Sequence, residues 1–180
     1  MAELRERLEA FALSLHPEKT RCIEFGRFAN RDRRRRGLRR PETFNFLGFT
    51  HICGRSRQGA FLLNRRSRRD KMRDKVRAVR DGLRKRINCT IPQQGEWLQR
   101  VVSGFNAYHG VPTNGGSLQV FRNSVVKAWL WALRRRSQRH RTTWTRMIGI
   151  ADRWLPPARV VHPWPERRFA ANHPRWEPGA

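Results

Sequence analysis

Apolar positions along this chain change period twice, from helix to strand and back to helix, and each change marks a predicted element. Leu4, Leu8 and Phe11, with Ala12, fall on one helical face separated by Glu and Arg, and His16-Pro17 ends that helix. TRCIEFG (20–26) then reads as a strand with Ile23 and Phe25 on one face, and 27–41 reads as a loop. The runs Thr43 to Cys53 and Ala60 to Leu63 alternate as strands around the Gly-bounded turn GRSRQG (54–59), which predicts a β-hairpin.

From Ser67 the period becomes helical. Met72, Val76, Val79, Leu83 and Ile87 form one stripe, and Cys89-Thr90-Ile91-Pro92 breaks it. The opposite face of this helix is cationic and includes Arg69, Lys71 and Lys75. A second helix over about 95–108 carries Trp97, Leu98, Val101, Val102, Phe105 and Tyr108, and 111–116 is a turn. A third, from Leu118 to Arg136, has Leu118, Phe121, Val125, Trp129 and Leu133 on one stripe. A short fourth helix covers about 143–154, and the Pro- and Trp-rich remainder reads as an irregular tail. The expected class is α+β: a small hairpin region (1–66), a three-helix bundle (67–140) and a basic tail (141–180).

Charge changes this picture most. Forty of 180 residues are Lys or Arg against 14 Asp or Glu, for a formal net charge of +26. Self-repulsion on that scale opposes a compact state, and a polyanion relieves it. Each cation placed on a phosphate releases condensed counterions, so the expected partner is RNA or DNA. Lys appears at only five positions (19, 71, 75, 85 and 127); the remaining cations are Arg, which grips phosphate bidentately and stacks on bases. A GC-rich coding sequence would explain part of that ratio, but not the scarcity of acids.

Seven Arg fall within 31–40, among them Arg33, Arg34, Arg35 and Arg36, and the expectation is a segment that orders against a polyanion. Arg134, Arg135, Arg136 and Arg139, with Ser137 and Gln138 beside them, are candidate RNA contacts, although cations at a helix C-terminus also suit its dipole. Trp129 lies on the apolar stripe and reads as core, whereas Trp131 lies off it and is the better candidate for base stacking. Gly48 reads either as a strand bulge or as a point of close backbone approach. Phe46 and Phe49 are expected on opposite faces.

Several chemistries are excluded. The His residues are scattered without Cys or i, i+4 His partners, so no metal site is expected. No Gly-rich phosphate loop or nucleophilic triad is present. Cys22, Cys53 and Cys89 make no disulfide framework, no apolar run approaches a membrane span, and the first residues do not form a signal peptide, so a cytoplasmic location is expected.

The order of motifs is more specific than any one of them. FNFLGFTH (44–51) is followed by GAF (59–61), the basic helix, W-L-x-x-V-V-x-G-F-x-x-Y-x-x-V-P-x-N (97–114), L-x-x-F (118–121), Trp129, LRRRSQR (133–139), Trp144, WLP (154–156) and HPWPERRF (162–169), with LHPEKT (15–20) upstream. This series resembles the C-terminal part of group II intron reverse transcriptases, or maturases.

The resemblance implies an RNA-binding region made of the palm end, the thumb (domain X) and the start of the DNA-binding region. Phe46, Leu47, Gly48 and Phe49 match the family's primer grip. The partners it implies are group II intron RNA and template–primer duplex, then a DNA target, and an N-terminal reverse transcriptase fragment if the polymerase is split. A Met start within a palm helix is consistent with a truncated or split reading frame. Lys19 matches a lysine that in the family lies near the palm active site, a site without its Asp pair here.

The family's polymerase needs a Tyr-x-Asp-Asp turn because paired carboxylates hold two Mg²⁺ ions. This sequence has no Asp-Asp, and its only tyrosine, Tyr108, precedes His109. The expectation is therefore no cofactor and no polymerisation by this chain, with Mg²⁺ relevant only if another chain supplies a catalytic palm. The alternatives are a non-catalytic basic nucleic-acid-binding protein and a non-functional truncated remnant.

Overall fold

A computed structural model describes residues 2–16, 20–136 and 142–172. The chain divides into two compact units, Met1–Phe44 with Ile52–Leu63, and Asn45–His51 with Asn64–Ala180. Helices and one small sheet together make the class α+β. The strands are β1 (Phe44–Phe46), β2 (Phe49–Arg55) and β3 (Phe61–Ser67), in the order β1-β2-β3.

In the first unit, α1 (Ala2–Glu9) forms as expected, but none of its residues is buried and Phe11 beyond it is exposed. Residues 20–26 are not a strand; Phe25 instead meets Phe44 edge to face at 4.8 Å. The predicted loop contains a helix, α2 (Ala29–Arg35). An acid offsets its like charges: Arg33 and Arg36 both donate to the Glu24 carboxylate. The Arg33 guanidinium also reaches the Arg39 carbonyl at 2.9 Å. A cluster expected to order only against an external polyanion thus has a partner within the chain.

The run 43–53 is not one strand. It breaks at Leu47 and Gly48, which have φ of 46° and 77°. Two consecutive residues at positive φ make the tight turn that matches strand twist, so three strands form where two were expected. Gly48 is therefore a turn residue rather than a strand bulge.

The second unit holds the main core. Its helices are α3 (Arg69–Lys85), α4 (Ile91–His109), α5 (Gly115–Arg136), α6 (Trp144–Trp154) and α7 (Pro165–Asn172). The α3 stripe buries Val76, Val79 and Leu83, α4 buries Leu98, Val102 and Phe105, and α5 buries Leu118, Phe121, Val125, Trp129 and Leu133. Removing such side chains from water is worth about 1.5–3 kcal/mol each. Met147, Ala151 and Leu155 extend the same cluster, which brings α6 onto α4 and α5.

The predicted break at Cys89 to Pro92 proves to be a helix start. Thr90 Oγ1 accepts from the Gln93 amide, and Gln93 Oε1 accepts from the Thr90 amide, a reciprocal cap that satisfies two free N–H groups. Pro92 lies in the first turn, where it loses no helical hydrogen bond. Thr143 caps α6. The tail is not irregular throughout. Val161 and His162 amides donate to the Gly110 carbonyl at 2.8 and 2.9 Å, Asn106 Nδ2 donates to the Pro157 carbonyl, and α7 follows.

Candidate nucleic-acid interface

The α3 backbone sorts its cations by position. Val76, Val79 and Leu83 face the core. One step around the helix, Arg69, Arg73, Arg77, Arg80 and Arg84 recur at spacings of 4, 4, 3 and 4 and form a continuous exposed rail. Five guanidinium groups on one helical face concentrate positive potential that a phosphate backbone neutralises.

The rail borders α5 along two concavities. One, of about 360 Å³, includes Arg69, Arg73, Arg77 and Arg80 with Ser124. The other, of about 340 Å³, includes Arg80, Arg84, Arg135, Trp131, Ala128 and Ala132. Arg80 lines both. A third concavity, of about 800 Å³, lies at the N-terminal ends of α3 and α5 and includes Arg66, Arg68, Arg69, Ser117 and Asn45.

The expected sites are distributed unevenly on this surface. Arg69 is on the rail, while Lys71 and Lys75 are exposed on the α3 flank away from it. Arg135 lines the α5 groove. Arg134 and Arg136 donate to the Thr142 and Cys89 carbonyls at 3.0 and 2.9 Å, so both have structural partners. Arg139, with Ser137 and Gln138, lies outside the described residues, as does Lys19. In the first unit Arg34 and Arg35 are exposed on α2, while Arg33 and Arg36 are bound to Glu24. The sequence places Arg73, Arg77, Arg80 and Arg84 on the cationic face of α3 but does not mark them out as contacts; their spacing beside the apolar stripe is the available signal.

The Phe46–Phe49 turn is built from the second unit's own contacts. Tyr108 Oη donates to the Leu47 carbonyl at 2.8 Å, and the Arg68 amide donates to the Gly48 carbonyl at 3.0 Å. Phe49 is buried and stacks on Tyr108 at 5.8 Å, while Phe46 and Leu47 are exposed at 58% and 67%. A Cβ at Gly48 would meet the Tyr108 ring at 3.5 Å, ordinary contact, so the positive φ is what calls for glycine there.

The α4–α5 connection hydrogen-bonds to β3. Thr113 Oγ1 accepts the Arg65 amide at 2.8 Å. Asn114 Oδ1 accepts the Ser67 amide, and its Nδ2 donates to Ser67 Oγ and the His109 carbonyl. Ser67 Oγ also meets His109 Nδ1 at 3.0 Å. This buried network fixes the end of β3, and hence the first turn of α3, where the arginine rail begins. Burial pushes the His109 imidazole below its ordinary range; burial and then the Arg65 charge do the same for His51.

Among the described residues the acids do not form a two-metal site. Asp32, Asp70, Asp81 and Asp152 pair with Arg31, Arg68, Arg84 and Arg122 respectively, at 3.0, 2.6, 2.9 and 2.8 Å. The Arg68 hydrogen bond lowers the Asp70 pKa, and the Arg36 hydrogen bond lowers that of Glu24. Among the described residues no three His, Cys, Asp or Glu side chains come together to hold a cation, so the residues present do not fit paired Mg²⁺ ions. Among the described residues no helix is long and apolar enough to cross a membrane. No protein-family model, curated protein or solved structure matches the chain.

Proposed function

We propose that this chain is an RNA-binding palm-end and thumb portion of a group II intron reverse transcriptase, acting on intron RNA in the cytoplasm. The observation that carries this reading is the five-arginine rail on α3, set beside a core shared by α3, α4 and α5. Three consecutive helices after a hairpin agree in number and order with the thumb that the sequence resembles. The strained, exposed Leu47 at the hairpin tip agrees with a primer-grip role for Phe46 to Phe49.

In this reading the rail lies along phosphates, and the surrounding exposed arginines widen the contact. Phosphate contacts set position and supply most of the affinity, and they carry no sequence information. The chain would hold folded intron RNA for splicing or clamp a template–primer duplex. Polymer synthesis would need an Asp pair and Mg²⁺ from another polypeptide, because no Asp-Asp occurs here. The net charge of +26 equally favours a second reading, a basic nucleic-acid-binding protein without intron preference.

The test is titration of a structured group II intron RNA against a generic RNA duplex over a salt series. Tighter binding of the intron RNA at every salt concentration supports the maturase reading. A steep salt slope with equal affinities supports the second reading. No binding of either RNA at low salt rejects both.

A further inference from the structure

We propose that the groove between α3 and α5 receives one unpaired nucleotide, its base stacked on Trp131 and its phosphates on Arg80, Arg84 and Arg135. The inference rests on the RNA-binding reading above and specifies one contact within it. Trp131 is 64% exposed, although it belongs to the helix that supplies more of the core than any other. Single exposed apolar residues are ordinary on protein surfaces. This one instead stands in a concavity of about 340 Å³ whose other lining residues are three arginines and two alanines.

Each component has a physical role. Ala128 and Ala132 are small, which leaves room beside Trp131 for a ring. The volume lies at the lower end of the roughly 300–1,000 Å³ typical of ligand pockets, which suits one nucleotide rather than a helix. Every base has a π-face, so an indole platform accepts any of the four, and guanidinium planes beside it can stack or bind phosphate. None of the lining residues is acidic. Asp81 holds Arg84 at 2.9 Å, but that pair is exposed and leaves further N–H groups of the guanidinium for a phosphate. A paired base is already stacked within its duplex and cannot be offered to Trp131. The groove therefore selects a bulge or a flipped-out position, while Arg80 continues into the rail that follows the adjoining helix.

The experiment titrates the full chain with an RNA stem carrying one bulged 2-aminopurine, and with the same stem fully paired, at fixed ionic strength. The bulged stem is expected to bind at least about fivefold more tightly, the lower end of what one base–aromatic stack supplies, with quenching of the 2-aminopurine fluorescence. Trp131→Ala is expected to bring that ratio to about one, and Trp131→Phe to keep much of it. Thermal unfolding of each variant reports whether its fold is intact. A ratio near one for the unaltered chain, a ratio that survives Trp131→Ala, or equal loss in the Phe and Ala variants with normal unfolding would overturn the proposal. If both stems bind tightly without distinction, only the stacking contact is lost. If neither binds at low salt, the RNA-binding reading falls with it.

Discussion

The indole N–H of Trp129 donates to Oε1 of Gln94 at 2.7 Å within the helical core. Both side chains are almost fully buried. Gln94 Nε2 in turn donates to the Arg86 carbonyl at 2.7 Å, so one amide joins α5, α4 and the end of α3. Gln94→Leu would leave the indole N–H and that carbonyl without these partners. The expected cost is about 2–4 kcal/mol, since each buried unsatisfied group costs roughly 1–3 kcal/mol. Denaturant unfolding measures it, and a loss below about 1 kcal/mol would contradict this role.

Two glycines of α4 should respond in opposite directions. A Cβ at Gly95 would lie 2.5 Å from Trp154 Cδ2 and 2.6 Å from its Cγ, because the α6 indole packs directly on the α4 backbone. Gly95→Ala should therefore destabilise by about 1–3 kcal/mol through overpacking. Gly104 has open space at its Cβ, so Gly104→Ala should stabilise by about 0.5–1 kcal/mol through helix propensity. Thermal unfolding of the pair decides it, and a neutral or stabilising Gly95→Ala would show that the α4–α6 contact is not tight.

Leu47 holds a positive φ that costs a β-carbon residue roughly 1–2 kcal/mol. Asn tolerates that conformation, and Asn-Gly is the preferred pair for such a turn. Leu47→Asn should raise stability by about 1 kcal/mol, since the leucine side chain is largely exposed. It should also weaken binding of a primer–template duplex, because the strained apolar tip is then gone. A stabilised variant with unchanged duplex affinity would remove Leu47 from the interface.

Stability should fall as pH drops below the ordinary histidine value of 6.5. Burial lowers the folded pKa of His109, so between 6.5 and that lower value the unfolded chain binds more protons than the folded one. Above 6.5 both states hold a neutral imidazole and this contribution is constant. His51, lowered by burial and by Arg65, acts in the same direction. Unfolding free energies measured from about pH 7.5 to about 5.5 should decline, and His109→Gln should flatten the decline without abolishing it. A flat wild-type profile would contradict the burial of these rings.

The second unit was the more legible part of the fold. The α5 stripe predicted from spacing packs in the core, and so does the α3 stripe as far as Leu83, because a 3.6-residue period survives tertiary detail; Ile87 lies beyond the end of α3 and outside the core cluster. The fourth helix began where Thr143 caps it. Local charge and turn chemistry were harder to read. The acid that pairs with α2 is Glu24, which is nine residues from Arg33 in sequence and offered no periodic signal. The Leu47–Gly48 turn was hidden because Leu is a poor residue for positive φ. Pro92 read as a breaker because Thr90 and Gln93 were not seen as a cap. For the site, the basic character of α3 was plain, but choosing Lys71 and Lys75 over Arg73, Arg77 and Arg80 required knowing which flank borders α5. That is a packing fact, and the helix period by itself leaves two flanks open.

The most direct test of the central claim is the salt dependence of RNA affinity for two variants with equal charge loss. Arg73, Arg77 and Arg80 become Gln in one; Arg100, Arg146 and Arg159, which are exposed on other segments and line neither α3–α5 groove, become Gln in the other. If the α3 rail lies on phosphates, the first variant's slope of log K against log salt should be shallower by about 2–3, and the second should keep the wild-type slope. Equal slopes for the two variants, or no RNA binding by the unaltered chain at low salt, would contradict it.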